Sequence, residues 1–422
     1  MSRGRKDYEM SFRKMISFGL SLLALSAILI VVHPFSNKPK NFAVLHANQA
    51  LFSADGPFQV GISHQTISAK TPLEITVWYP GVTNTTDNST TYDYEIKMRE
   101  PLGRVAIATY EGQAVFEAQF DHSMAPYPLV ILSPGFSIAP ATYGWLAEHL
   151  ASYGFVVISP DHSEILDPEN ELWQAAITRP QDILAVFDYV DAQTGAGGHF
   201  EGVIDPDLVA VAGHSYGGYT SLVAAGARID THSFRAQCEA AIESEAPGAW
   251  LCEQLLPHIA DMANLAGLEA VPDGLWPAWA DARVDAIVPM AGNAFFFGPV
   301  GLSEITVPVL AIGGTADADS PYMWATHPTY ESVASTTKIK IALNGAEHMI
   351  FTGPCEQIPW HLKIFSGEFC ADQSWDRTYA HRLIQHFTTA FLLSELKHDA
   401  DAAAVLVQDK IDFQGIDYQI QK

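Results

Sequence analysis

Six residues, Gly213-His214-Ser215-Tyr216-Gly217-Gly218, constrain this chain more than any others. An apolar strand, LVAVA at 208–212, runs into them, and a helix-forming stretch leads away through Ala227. A serine on so tight a strand-to-helix turn projects beyond the end of its sheet. Glycines must flank it because the two backbones pass close together. The bare pattern G-x-S-x-G arises by chance in long chains. Between a strand and a helix, and with a second glycine, it marks a serine presented for nucleophilic attack.

The remaining pattern agrees with a layered α/β fold. Strands are predicted at 60–67 and 73–80, as a pair, then at 128–133, 155–159, 208–212, 284–290, 307–313 and 338–343. Helices are predicted at 141–152, 180–192 and about 376–397. Short apolar runs alternating with helices imply a mostly parallel central sheet with helices on both faces. Two stretches depart from the alternation. Residues 81–91 form a polar loop, and 229–282, rich in Ala, Glu, Trp and Pro, reads as a cap-like helical insertion after the fifth strand. The domain reading is a basic flank and apolar segment within 1–40, a linker at 41–55, a catalytic domain at 56–397 and a C-terminal extension at 398–422.

A serine hydroxyl is a weak nucleophile at neutral pH. It needs a base within hydrogen-bond reach, and that base needs a carboxylate to orient it. On a sheet of this kind both follow the serine, in the order acid, then histidine. Strand 307–313 leads into Gly314-Thr315-Ala316-Asp317-Ala318-Asp319, so Asp317 is the expected acid and Asp319 the alternative. Both are also residues that favour turns. Strand 338–343 leads to His348, the expected base. His232 and His258 fall in the insertion, and His381 and His386 on the last helix, where surface or core duty is the plainer reading.

A tetrahedral oxyanion needs two N–H donors. Tyr216 should supply one from the N-terminal turn of its helix. Phe136, in the loop Ser133-Pro134-Gly135-Phe136-Ser137, should supply the other. Phe295-Phe296-Phe297 could line an acyl pocket or simply pack in the core. Trp276 and Trp279 could line a lid or serve the core. His214 is expected to pack rather than react. Asp161-His162 lacks further ligands at metal-binding spacing, so no metal and no cofactor are expected.

The chain has 23 basic and 48 acidic residues, a net charge of −25. Beyond the first 40 residues the net charge is −30, which disfavours nucleic acid and anionic bilayers as partners of the main body. The exception is the N-terminus. Arg3, Arg5, Lys6, Arg13 and Lys14 precede 18 uncharged residues at 15–32, long enough as a helix (about 27 Å) to span a bilayer. The expectation is an export signal retained as a membrane anchor, the alternative being cleavage after Ala47 and secretion. Cys238, Cys252, Cys355 and Cys370 would then meet an oxidising compartment, with 238–252 and 355–370 the pairs that close the shortest loops. Asn84 and Asn88 sit in glycosylation sequons.

Several stretches together carry a resemblance. They are GPFQVG at 56–61, VWYP at 77–80, LVILSPGF at 129–136, YGWLAEHLASYGFVVISPDH at 143–162, Arg179-Pro180-Gln181-Asp182, VAVAGHSYGGYTSL at 209–222, RVDAIVPMAG at 283–292 and VPVLAIGGTAD at 307–317. Over about 56–397 the chain resembles the dienelactone-hydrolase-like branch of the α/β-hydrolases, which also resembles platelet-activating-factor acetylhydrolases of the plasma type. The resemblance implies the α/β-hydrolase fold and a metal-free Ser-His-Asp carboxylic ester hydrolase with oxyanion donors at Phe136 and Tyr216. True dienelactone hydrolases use a cysteine nucleophile where this chain has Ser215. Pro134-Gly135-Phe136, in place of the His-Gly common in the acetylhydrolases, looks more like bacterial cutinases and polyester hydrolases. The expected substrates are small esters with short-to-medium acyl groups, or lipid-like esters. The rival readings are a peptidase or acyltransferase on the same fold, or a non-catalytic binding protein.

Overall fold

The computed structural model describes residues 50–82, 91–100, 103–165, 167–353, 372 and 374–422. The apolar segment 15–32, both sequons, Cys355 and Cys370 lie outside these residues. Among the described residues no helix is long and apolar enough to cross a membrane.

The chain opens with strands β1 (Gln59–Ile67), β2 (Leu73–Val82), β3 (Thr91–Glu100), β4 (Gly103–Phe116), β5 (Gln119–Phe120) and β6 (Tyr127–Ser133). Helix α1 (Gly144–Ser152), β7 (Val156–Asp161), α2 (Pro168–Thr194), β8 (Ile204–His214) and α3 (Tyr216–Ala224) follow. Next come α4 (Thr231–Glu243), α5 (Ala249–Leu255), α6 (Ile259–Leu265) and β9 (Val284–Met290). The chain ends with α7 (Gly298–Leu302), β10 (Val309–Gly314), α8 (Thr326–Ser332), β11 (Lys338–Leu343), α9 (Arg377–Lys397), α10 (Ala400–Val405) and β12 (Ile416–Gln421).

The strands build one mixed sheet in the order β12-β11-β10-β9-β8-β6-β7-β2-β1-β4-β3, with β5 beside β2. The six strands from β11 to β7 run parallel. Alternate residues feed opposite faces, as pleating demands. Leu129, Ile131, Val209 and Val211 pack with α2, α3 and the α4–α6 segment. Val130, Leu132, Ala210 and Ala212 pack with α1 and α9.

Three features differ from the sequence reading. The hairpin β3–β4 was not foreseen. Residues 398–422, read as a C-terminal extension, carry a strand that was not predicted: β12 pairs antiparallel with β11 along its whole length, from Lys338 opposite Gln421 to Leu343 opposite Ile416. Its two faces alternate in burial, with Ile416, Tyr418 and Ile420 on the half-buried face of this edge strand. Helix α2 begins twelve residues before the predicted start at 180, with Pro180 inside it.

Proline inside a helix lacks the N–H that should reach the carbonyl four residues back. Here that carbonyl belongs to Ala176, and the Tyr219 hydroxyl of α3 donates to it at 2.8 Å. Tyr216 likewise donates to the Leu172 carbonyl at 2.9 Å. Both tyrosines are fully buried. Their hydroxyls join α2 to α3 while their rings fill the core. Between α4 and α5 a Cys238–Cys252 disulfide closes a short loop.

The strand–turn–helix at Ser215 is the tightest crossing in the fold. Ser215 holds φ 57° and ψ −118°, a strained backbone for a residue with a side chain. Its N–H donates to the Met290 carbonyl at 2.9 Å, and its own carbonyl accepts from Tyr219 N–H at 3.0 Å. A Cβ on Gly217 would lie 1.9 Å from the Ser133 carbonyl oxygen, and one on Gly213 2.3 Å from the Gly217 oxygen. Both glycines are therefore required by backbone contact.

Two tests follow from these contacts. Tyr219→Phe should cost about 1–3 kcal/mol in urea unfolding, because the Ala176 carbonyl loses its donor. In a Pro180→Ala background, where the helix regains an N–H, the same change should cost under about 1 kcal/mol. Gly217→Ala should destabilise by at least about 1–3 kcal/mol. Gly195→Ala, where a Cβ meets nothing nearer than 3.7 Å, should leave the unfolding midpoint close to that of the parent chain.

Candidate active site

The parallel strands end in register. Ser133 of β6 stands opposite Gly213 of β8, His214 opposite Met290 of β9, and Gly314 of β10 opposite Leu343 of β11. Loops leaving these ends emerge side by side, and they carry Phe136, Ser215, Asp317 and His348.

His348 Nε2 lies 2.9 Å from Ser215 Oγ, although 133 residues separate them in the chain. His348 Nδ1 lies 2.7 Å from Asp317 Oδ2. The carboxylate can only accept, so Nδ1 carries the proton and Nε2 is free to accept from the serine hydroxyl. Asp317 is anchored in turn: its Oδ1 accepts from the Asp319 N–H at 2.9 Å and the Ser320 N–H at 2.7 Å. Asp319, the alternative acid, thus serves the turn that holds Asp317.

The site is buried, and along the stretch from Val209 to Ala224 only Ser215 is partly exposed. Asp317 and His348 are 5 % and 7 % exposed. Burial alone would lower His348, but the Asp317 carboxylate, with Asp319 adding to it, outweighs burial and raises the imidazole to about 8.

The loop after β6 turns tightly, with Ile138 N–H donating to the Gly135 carbonyl at 3.1 Å and Ser137 at positive φ. The Phe136 ring meets the Tyr216 ring edge-on at 6.1 Å, so the two residues expected to donate to an oxyanion are neighbours. Tyr216 is the first residue of α3, where N–H groups have no partner within the helix.

Other candidates fall into structural roles. Phe296 and Phe297 are fully buried and stack on Phe234 and Tyr219. Phe295 is 5 % exposed and lies against Trp324. Trp276 is buried, and its indole donates to Thr231 Oγ1 at 2.9 Å. Trp279 packs at its side. His232 pairs with Asp273 and His258 with Asp261. His381 stacks on Trp145 at 3.7 Å, and burial with nearby Arg377 lowers it to about 3. His386 accepts from the Phe52 N–H, and burial lowers it to about 4.

The sequence reading missed a layer of polar groups beneath the site. His214 Nε2 lies 3.1 Å from the His348 carbonyl, which can only accept, so Nε2 carries the proton. His214 Nδ1 then accepts from the Tyr143 hydroxyl at 2.9 Å, and that hydroxyl accepts from the Gly135 N–H at 3.1 Å. Burial, with His348 close by, holds His214 far below its usual range, so it stays neutral. Two side chains, Tyr143 and His214, thereby tie the loop of Phe136 to the backbone of His348.

Arg179 of α2 is fully buried and forms a two-bonded pair with Glu164, at 2.5 Å and 3.1 Å. Burial opposes the charge on Glu164, but Arg179 and nearby His162 hold the carboxyl below its usual value. Asp182, one turn on, binds His162 Nδ1 at 2.7 Å, and His162 Nε2 lies 3.0 Å from Ser133 Oγ. A charged pair of side chains inside an otherwise apolar helix face, as in Arg179-Pro180-Gln181-Asp182, was the available signal.

Comparisons with known proteins bear on the same region. A family model described as PET hydrolase-like matches residues 105–245, the stretch that holds the Phe136 loop, α2 and Ser215. A curated relative, cutinase est1 of Thermobifida alba, is 27 % identical over 223 residues, 53 % of this chain and 53 % of that protein. Bis(hydroxyethyl) terephthalate hydrolase of Streptomyces coelicolor is 26 % identical over 220 residues, 52 % of this chain and 49 % of that protein. Cutinase 1 of Thermobifida cellulosilytica is 24 % identical over 250 residues, 59 % of this chain and 70 % of that protein. The chain thus spans about half the length of the first curated relatives it matches. In these likenesses the chain resembles the cutinases and polyester hydrolases of the α/β-hydrolase superfamily.

Proposed function

We propose that this protein is an exported serine carboxylic ester hydrolase. The observation that carries the reading is the unbroken hydrogen-bonded chain from Ser215 Oγ through His348 to Asp317. Its one member that is not buried is the serine, which is partly exposed. Ser215 attacks the ester carbonyl while His348 takes its proton, then returns it to the leaving alcohol. Asp317 keeps His348 in the tautomer that can accept, and steadies the imidazolium. The N–H groups of Phe136 and Tyr216 receive the oxyanion. Water, activated by His348, then clears the acyl group from Ser215.

The substrate class rests on two supports. The relatives bear the names cutinase and bis(hydroxyethyl) terephthalate hydrolase, and the Pro134-Gly135-Phe136 loop has the look of theirs. The Phe136 ring, against Tyr216, puts aromatic surface beside the turn that carries the serine. Esters with short-to-medium acyl chains or an aromatic acid are the expected substrates. Export is supported by the Cys238–Cys252 disulfide, a bond of oxidising compartments, and by the basic flank ahead of residues 15–32, whether that segment anchors the chain or is removed.

Hydrolysis of p-nitrophenyl esters from acetyl to dodecanoyl tests the reading directly. Ser215→Ala should lower turnover by at least about 10³-fold without lowering the unfolding midpoint. A variant retaining more than a few per cent of activity removes Ser215 from the role. The pH profile supplies a second check. His348 must be neutral to act as base, so kcat/KM should rise with pH through about 8 and level off above it. Asp317→Asn removes the carboxylate that raises His348. It should shift this rise to lower pH and depress the plateau by about 10²–10⁴-fold. A rise that stays in place in the variant would break the link between the two residues.

A further inference from the structure

We infer that Arg179, supported by the chain Asp182–His162–Ser133, is a positioning residue that aims the Phe136 N–H at the oxyanion. This rests on the esterase reading above and names a device within the same site.

One peptide plane couples the two groups. The Gly135–Phe136 bond is trans, so its C=O and N–H point in opposite directions. Whatever fixes the Gly135 carbonyl therefore fixes the direction of the Phe136 N–H. Arg179 Nη2 donates to that carbonyl at 2.9 Å, from the side of α2. Its Nη1 donates to the Pro134 carbonyl at 2.6 Å, setting the preceding peptide. That peptide's other end, the Gly135 N–H, is held by the Tyr143 hydroxyl. Two successive planes are thus clamped before the chain reaches Phe136.

The clamp itself cannot swing. The guanidinium presents a rigid planar fork, and Glu164 takes two of its remaining donors. Its carbon lies 5.6 Å from the centre of the Tyr216 ring, the residue that carries the second donor N–H. A lysine would bring the charge but not the fork.

Three residues later on the helix, Asp182 orients His162, which accepts from the Ser133 hydroxyl. This chain has the serine–histidine–carboxylate order of the active site. Ser133 is fully buried, so no ester reaches it, and its effect is to fix the residue from which the loop departs. Arg179 and Asp182 thus hold the loop from one helix, one through carbonyls and one through the Ser133 side chain.

The test uses the whole chain and p-nitrophenyl butyrate, with phenylboronic acid as a tetrahedral mimic. Arg179→Lys should lower kcat by about 10²-fold, as loss of one oxyanion donor does, with KM within about threefold of the parent. Affinity for phenylboronic acid should fall in step with kcat, because the donor matters to the tetrahedral state and not to the ground state. Ser133→Ala, a small change that leaves the core filled, should lower kcat by a lesser factor of about 3–10 with KM again steady. It decides the matter if Arg179→Lys does not fold. Parent-like kcat in the folded variants, or losses of kcat and rises of KM in equal measure, would overturn the role of α2. A parent chain that does not hydrolyse the ester, or does so equally well as Ser215→Ala, instead defeats the esterase reading itself.

Discussion

The contact on which the rest of the site depends is the approach of the Gly217 backbone to the Ser133 carbonyl. There is no room for a single methyl group between them. That approach brings the N-terminus of α3 against the end of β6. It sets the loop of Phe136 beside Tyr216, and it turns Ser215 out of the strand into a conformation that side chains resist. The strain is about 1–3 kcal/mol, small beside the packing of two cores on either face of the sheet. Because β6 and β8 are in register here, a shift of either strand by one residue would carry the serine away from its partners.

Around that contact the fold places buried polar groups that are satisfied by one another. The Pro180 ring leaves a helix carbonyl without its usual donor, and Tyr219 supplies one. His214 is kept neutral by burial and so can accept from Tyr143 and donate to the His348 backbone at once. Arg179 and Glu164 neutralise each other in a place where either alone would be expensive to bury. None of these groups touches the reacting atoms. His214 and Arg179 each hold a backbone segment from which a reacting group departs, and rigid support of this kind is what allows donors to be aimed before the substrate arrives.

Much of this was legible in the residues themselves. Gly213-His214-Ser215-Tyr216-Gly217 announces its turn because only glycine tolerates the contacts. Asp317 and His348 are found by their places just beyond apolar strands. The core strands β6 to β11 show as short apolar runs because a strand covered on both faces has little choice of composition. What escaped notice depended on distant partners. In β12, Ile416, Tyr418 and Ile420 alternate with polar residues as a one-sided strand should, but so short a run does not name its partner, and its pairing with β11 is a long-range choice. The start of α2 was hidden by Pro180, whose cost is offset by a tyrosine 39 residues away.

By itself the sequence determined the class of fold and the turn that presents Ser215, and it set the candidate acids and bases just beyond strand ends, since these follow from local backbone rules and strand order. Which histidine faces the serine, that Asp317 and not Asp319 meets it, and how the Phe136 loop is held were decided only by the tertiary structure. Those facts depend on the register of strands distant in the chain and on buried side chains that find their partners across elements. Composition and spacing carry no record of such pairings, because a buried polar group is specified by the partner that satisfies it.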